Sequence, residues 1–360
     1  MPGLSKKVPR NLPSLVTLFG ACFEEDGRLS DVAETKAWLM GLTDGFRQAC
    51  ILGAAAELGI FDAVSAQGDT AAELAQRTET DLRAATILLD ALAAIQVLKK
   101  EGDRYRVTDA VRACLSDRSP VTAAPMVRHR MNVMRAWVQL AWTVKSGVPA
   151  PKPCGMRGPA ADLADFILAM ETASRDIADG LVADLQPLEF RTLLDVGGGP
   201  GTWTFAFLRA LPRARAVYFD LPHAAAQAQR LAQQNDLDDR IQFVTGDFYV
   251  DPLPGGADFA WVSAIAHQNS REQNRVLFRK VFEALTPGGT IAIRDVVLEP
   301  SRIAPFEGAL FAVNMLANTP KGNTYTLEEY QEDLEAAGFR EPVLRLRSEA
   351  MNSVIMAHRP

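Results

Sequence analysis

The sequence predicts an α/β protein: a Rossmann-like, doubly wound sheet in the second half, preceded by a mainly helical domain carrying a winged helix. Three observations predict it. A glycine-rich turn, Asp195-Val196-Gly197-Gly198-Gly199-Pro200-Gly201, joins a short apolar run to one with helical character from Trp203 to Leu211. Beyond residue 190, strand-length apolar runs alternate with helical periodicity. Before residue 120, helices rich in Ala and Leu are followed by a small hairpin signal.

Taken in order, the first 30 residues mix Pro, Gly and polar groups with one apolar patch, Leu15 to Phe23, and are expected to form an N-terminal arm (1–30). From Val32 to about Leu98 the pattern is helical, broken at Gly59 and Gly68. Thr70-Ala71-Ala72-Glu73 opens one helix with a capping-box arrangement, and Thr80-Asp81-Leu82-Arg83 opens another. Val97 to Val107 reads as a hairpin turning at Glu101 to Asp103, which completes a winged helix over 31–120. Such a unit admits a DNA-binding hypothesis, but the candidate reading helix, Asp81 to Ala94, has Arg83 as its only basic residue. Its Leu88, Leu89 and Leu92, with Ile95 beyond, look core-facing.

A segment over 121–188 is expected to link the domains and shape a pocket. Its helical stretch from Ala123 to Val144 carries Met126, Met131, Met134, Trp137 and Trp142, which suit packing, an interface or a pocket for a flat ligand. Ser146 to Pro159 reads as a loop, and a helix from Ala161 to about Leu185 bridges to the sheet. Within 189–360, strands are expected at Thr192–Val196, Ala216–Phe219, Ile241–Thr245, Phe259–Ser263, Thr290–Val297 and near Ser353–Ala357. Helices are expected at Trp203–Leu211, His223–Gln234, Arg271–Leu285 and Leu327–Ala337. Pro287-Gly288-Gly289 reads as a turn directly before a strand.

At 360 residues and 48% hydrophobic, the chain can bury a sizeable core. A net charge of −6 gives no support to nucleic-acid or anionic-membrane binding. Cys22, Cys50, Cys114 and Cys154 are widely spaced, which suits free thiols better than a disulfide frame or zinc site. No grouping of His, Cys, Asp and Glu has metal-ligand spacing. Without a long apolar leader or a spanning stretch, the default expectation is a cytoplasmic protein.

Spacing in the glycine turn discriminates among nucleotide cofactors. The dinucleotide fingerprint Gly-x-Gly-x-x-Gly would place its third Gly at 202, where the chain has Thr. The pattern here is Asp-x-Gly-x-Gly-x-Gly, which suits S-adenosylmethionine (SAM), whose sulfonium and ammonium an acid such as Asp195 can answer. Gly197 and Gly199 would admit that cofactor. Asp220, ending the second strand before Leu221, can accept hydrogen bonds from both ribose hydroxyls or cap the helix after Pro222. Asp247 can hold the adenine amine with Phe248 packed on the ring, or both can belong to a polar turn over the core. Ser263 ends the fourth strand, beside the methionine portion.

His267 lies just beyond that strand, where the transferred methyl is expected. A phenol is a poor nucleophile until its proton is removed, and imidazole titrates near neutrality. A capping or buried structural His is the alternative. Asp295, ending the fifth strand, can orient His267 through its far ring nitrogen, or can pair with Arg294 instead.

With these residues in view, the chain resembles the small-molecule O-methyltransferases that include plant caffeate and flavonoid enzymes, animal hydroxyindole enzymes and bacterial natural-product enzymes. Asp195–Gly201 resembles the family's cofactor loop, Phe219-Asp220-Leu221-Pro222-His223 its ribose signature and Gly246-Asp247-Phe248 its adenine segment. The resemblance implies a class I methyltransferase domain, an aromatic small-molecule substrate and a homodimer formed through the winged-helix domain. It also implies substrate contacts from Met170, Phe166, Trp142, Asn314 and Thr324. Three departures stand out. The His-Asp-Trp signature aligns with His267-Gln268-Asn269, Ser263 replaces a common Lys, and the second supporting acid falls at Thr324.

Overall fold

The computed structural model describes residues 31–360; the expected N-terminal arm with its apolar patch lies outside the described residues. The N-terminal elements are α1 (Val32–Asp44), α2 (Phe46–Glu57), α3 (Ile60–Ala63), β1 (Asp69–Thr70), α4 (Ala71–Arg77), α5 (Leu82–Ala94), β2 (Lys99–Glu101), β3 (Arg104–Arg106) and α6 (Asp109–Leu115). Gly59, at φ +68°, makes the left-handed break between α2 and α3 that a side chain would resist. Thr70 and Glu73 close a reciprocal capping box at the start of α4, and the Asp81 side chain caps α5. The hairpin pairs Lys99 with Arg106, and β1 adds a third strand in the order β1-β3-β2. Leu89 and Leu92 are fully buried with Phe61, Leu74 and Tyr105 in one core, against which Leu88 and Ile95 pack half-buried. The winged helix therefore turns this helix inward.

Four helices follow: α7 (Ala124–Trp137), α8 (Leu140–Ser146), α9 (Pro159–Arg175) and α10 (Ala178–Asp184). The two continuous helices expected here are each broken, at Val138-Gln139 and at Asp176-Ile177. Beyond the breaks, α8 packs on the helix Phe306–Asn318, far along the chain, and α10 packs on the next helix, Thr202–Ala210. A buried ionic network then joins α7 to α9. Arg128 grips Asp165 through Nε (2.8 Å) and Nη2 (2.7 Å), and Nη2 also reaches Asp117 at 2.8 Å.

The remaining elements are β4 (Thr192–Val196), α11 (Thr202–Ala210), β5 (Arg215–Asp220), α12 (Pro222–Gln234), β6 (Ile241–Thr245), β7 (Ala257–Ser263), α13 (Arg271–Ala284), β8 (Leu285–Asp295), β9 (Val297–Leu298), α14 (Phe306–Asn318), β10 (Tyr325–Thr326), α15 (Leu327–Ala336), β11 (Arg340–Leu346) and β12 (Ser353–His358). The seven-stranded sheet runs β11-β12-β8-β7-β4-β5-β6, with β12 antiparallel to both neighbours and the other pairs parallel. Helices α10, α11 and α12 pack on one face around Trp203, Phe207 and Trp261, whereas α13 and α15 cover the other around Phe278, Tyr330 and Leu334. Strand order reverses between β4 and β7, and the carboxyl ends of strands at such a switch point are where open α/β sheets take their ligands.

The chain bulges out of the β7–β8 ladder between Leu285 and Thr290, with Gly288 at φ +80°, so the bend expected at Pro287-Gly288-Gly289 lies within β8; α14, β11 and the short β9–β10 pair are additional. Strand β11 lies at the sheet edge with bulged pairing, where Pro342 and charged residues are tolerated without loss of a ladder on both sides. Among the described residues, no helix is long and apolar enough to cross a membrane.

The Arg128 network yields a stability prediction. Asp165→Ala leaves a guanidinium that is 4% exposed with a single peripheral carboxylate. Denaturant unfolding should show a loss of about 3 kcal/mol, the scale for breaking a buried pair.

Candidate functional site

The crevice begins at the glycine turn. Gly197 sits at φ +68°, and a Cβ there would fall 2.6 Å from Ile265 Cδ1, so neither backbone nor space allows a side chain. Gly199, at φ +55°, differs: a Cβ on it would meet nothing within 4 Å, so this part of the turn faces open space. Its N–H donates to Asp220 Oδ2 at 2.7 Å and its carbonyl accepts the Tyr218 hydroxyl at 2.5 Å. The Asp220 side chain thus holds the turn as well as facing the crevice, and its Oδ1 accepts the Leu221 N–H at 2.6 Å. It makes no side-chain cap for α12, whose preceding residue is Leu221.

Asp195 is 1% exposed, and the Thr204 hydroxyl donates to its Oδ2. Burial, reinforced by the nearby Asp220 charge, pushes its carboxyl up to about 7. Burial also raises the pKa of Asp220. At the end of β6, Asp247 Oδ1 accepts the Tyr249 N–H at 2.8 Å, and the Phe248 ring lies 4.6 Å from that of Tyr249. The sheet therefore sets Asp247, Asp220, the glycine turn and Ser263 at the ends of four adjacent strands, β6, β5, β4 and β7.

Past Ser263 the chain turns through Ala264 at φ +58° into a short 3₁₀ turn, Ala266–Gln268. His267 Nδ1 lies 2.7 Å from Asp295 Oδ1, and the His267 main-chain N–H donates to Oδ2 at 3.2 Å. Asp295 is fully buried and also accepts the Val296 N–H at 2.8 Å. A carboxylate on Nδ1 selects the tautomer with its proton there, leaving Nε2 with a free lone pair. The Phe311 ring of α14 meets the imidazole edge-on, with centroids 4.8 Å apart. Tyr330 is buried close to Asp295, and burial together with that charge keeps its phenol protonated.

Arg294, the alternative partner for Asp295, points elsewhere. Adjacent strand residues face opposite sides of a sheet, and the guanidinium donates from Nη1 to Ser263 Oγ at 3.1 Å. The remaining expected residues are dispersed. Thr324 is fully buried and donates to the Gly308 carbonyl at 3.3 Å, tying its loop to α14 rather than lining open space. Asn314 Oδ1 accepts the Trp137 indole N–H at 3.0 Å, which links α14 to α7. Met170 is half-buried on α9, while Phe166 is exposed with its ring 5.3 Å from that of His129. Trp142 is 68% exposed, so within one chain it encloses nothing.

Sequence reasoning missed Phe311 and the Trp137–Asn314 bond because it did not place α14. Phe311 and Asn314 are three residues apart and share a helix face, a signal available once the helix is known.

Comparisons with known proteins identify the family and agree with the fold. The O-methyltransferase domain family matches residues 155–340, and the O-methyltransferase dimerisation domain family matches residues 40–117. The 3-hydroxy-5-methyl-1-naphthoate 3-O-methyltransferase of Streptomyces sahachiroi is 31% identical over 323 residues, 88% of this chain and 93% of that protein. An N,N-dimethyltransferase of Streptomyces rimosus is 30% identical, covering 87% of this chain and 92% of its own. Human N-acetylserotonin methyltransferase in complex with SAM superimposes with a TM-score of 0.75 at 25% identity, over 92% of this chain and 98% of that one.

The raised Asp195 pKa has a measurable consequence. The folded state binds this proton more tightly than the unfolded state, so its contribution is full below the unfolded value of 3.8 and is lost as pH rises toward about 7. Asp195→Asn removes that dependence and keeps an acceptor for Thr204. The difference in Tm between variant and wild type should therefore shift in the variant's favour from pH 4 to pH 7 and level off above.

Proposed function

The chain belongs to the O-methyltransferase family and is a SAM-dependent methyltransferase; from that premise we propose that it methylates a hydroxyl of an aromatic or polycyclic small molecule of secondary metabolism, with His267 as general base. The observation that carries the mechanism is the buried His267–Asp295 pair, one strand from the glycine turn.

The residues of the crevice fit the cofactor. Gly199 leaves room beside the turn, acids end β5 and β6, and a half-buried aromatic follows Asp247. In this reading Asp220, with Leu221, holds the ribose, Asp247 and Phe248 hold the adenine, and Asp195 and Ser263 flank the methionine portion. When bound, SAM supplies an electrophilic methyl on a positive sulfur. Nε2 of His267 takes the acceptor's proton, which raises the nucleophilicity of its oxygen. Asp295 fixes the ring direction and stabilises the imidazolium that forms. Phe311 restricts imidazole rotation by packing on its edge. Met170, Phe166 and Asn314 are the candidates for holding a flat acceptor in line.

Thr324 supplies no second carboxylate, so base strength depends on one acid. A hydroxyl already acidified by conjugation suits that weaker base. The Streptomyces rimosus relative favours one alternative acceptor, an amine nitrogen. Carbon, oxygen and nitrogen methylation are separated by NMR of the new methyl group.

His267→Ala should lower kcat for methyl transfer about 10²- to 10⁴-fold, the usual range for losing a general base. Calorimetric SAM affinity should stay nearly unchanged. Normal turnover in this variant removes the general-base assignment.

The matched dimerisation domain supports a homodimer. Helix α1 has no buried residue, and Leu39 (44%), Met40 (53%), Leu42 (50%) and Phe46 (55%) stand exposed on or beside it. A second copy would cover them. Sedimentation should give a dimer for the wild type and a shift toward monomer for Leu39→Asp/Phe46→Asp; a monomeric wild type contradicts the assignment.

A further inference from the structure

Two arginines of the described residues are only 4% exposed, and they are treated differently. Arg128 is met by the carboxylates of Asp165 and Asp117. Arg294 has none: its Nε (3.0 Å) and Nη2 (2.5 Å) donate to Asn352 Oδ1, and its Nη1 donates to Ser263 Oγ at 3.1 Å. Both acceptors are neutral. Three bonds leave two of the five N–H donors of the guanidinium unused. Its flat face lies 4.5 Å from the Trp203 ring, at the start of the helix that follows the glycine turn. Burial pulls the guanidinium down to about 10, with Asp295 as the one opposing charge. A desolvated cation held by neutral groups is costly unless an anion meets it.

Position identifies the anion. From β6 to β7 is three strand spacings, about 14 Å at ~4.8 Å each. Asp247, Asp220, the glycine turn and Ser263 mark those steps, and Arg294 comes next on β8 while reaching back to Ser263. A nucleoside seated with its base beside Asp247 and its sugar beside Asp220 directs its amino-acid arm toward Ser263.

We propose that Arg294 is a cofactor-binding residue that receives the α-carboxylate of SAM, with Ser263, Asn352 and Trp203 holding the guanidinium ready. This inference rests on the nucleoside orientation proposed above. Ser263 is small enough to let the neighbouring strand's cation occupy the space beside it. The Trp203 face fixes the plane of the guanidinium, which favours a planar, two-pronged partner.

The test is calorimetric and needs no methyl acceptor. Ligand-stripped wild type is titrated with SAM and with decarboxylated SAM, which differ only in the carboxylate. SAM should bind roughly 10- to 100-fold more tightly, the scale of a charged hydrogen-bonded contact. Arg294→Met should weaken SAM by a similar factor and leave decarboxylated SAM nearly unchanged. Ser263→Lys added to Arg294→Met should restore part of the preference, because an ammonium then enters the same space.

Equal affinity of the two ligands for the wild type overturns the proposal, and this arm holds even if a variant fails to fold. A preference that survives intact in folded Arg294→Met also overturns it and leaves Arg294 as a brace. If neither ligand binds, the cofactor crevice itself is wrong. That outcome differs from the first two, in which SAM binds and only the role of Arg294 falls.

Discussion

The His267 side of the site depends on one buried carboxylate. Asp295 is shut off from water, and an ionised carboxyl survives there only if donors replace its hydration. It collects three: the His267 ring, the His267 main-chain N–H and the Val296 N–H. Satisfying the first two fixes the path between β7 and α13, including the positive φ at Ala264 and the 3₁₀ turn. The same turn organises a more distant loop. The His267 carbonyl accepts the Asn323 N–H at 2.8 Å, and a Cβ on Gly322 would fall 2.6 Å from that oxygen. The loop ending at Thr324 therefore packs against the histidine backbone, and Thr324 fastens it to α14, which carries Phe311.

The charges at the sheet's carboxyl edge are partitioned by the pleat. On β8, Arg294 and Asp295 are adjacent in sequence yet serve opposite faces. Asp295 belongs with His267 and Phe311, whereas Arg294 belongs with Ser263 and Trp203. One strand thus separates the side of His267 from the side next to the glycine turn. On β4 and β5, burial raises both Asp195 and Asp220, and the Asp220 charge raises Asp195 further. Positive charge brought beside them relieves that repulsion, which gives the crevice an electrostatic preference for a cation at its centre.

How much of this was legible in the sequence follows from which physical signals are local. The capping box at Thr70, the glycine turn and the alternating strands depend on residues within a few positions of one another, and all three are present as expected. His267 and Asp295, 28 residues apart, could be brought together on paper because parallel strands deliver their ends to one edge. Helix α14 was not legible. Phe306–Asn318 is apolar almost throughout, with Glu307 near its start and only Asn314 and Asn318 as later polar marks, so no clear amphipathic stripe announces it. The breaks in the long helices over 123–144 and 161–185 carry no local signal such as Pro or Gly at 138–139 or 176–177. For Arg294 the signal was there: period-two alternation already separates its side chain from Asp295.

In the proposed mechanism the acid that orients His267 is carried by a strand rather than a loop, and the ladders of that strand give the reason. Strand β8 is hydrogen-bonded to β7 on one side and to β12 on the other, with register continuous from Ser353↔Asp295 to His358↔Thr290. Its backbone polar groups are satisfied on both edges, so Asp295 cannot shift without disturbing two ladders. His267 sits on a short 3₁₀ turn just beyond β7. Anchoring that turn to a central strand gives the imidazole the positional precision of the sheet while leaving Nε2 at its edge. In the proposed mechanism Thr324 supplies no second carboxylate, and the rigidity of this one strand would let a single acid aim the base.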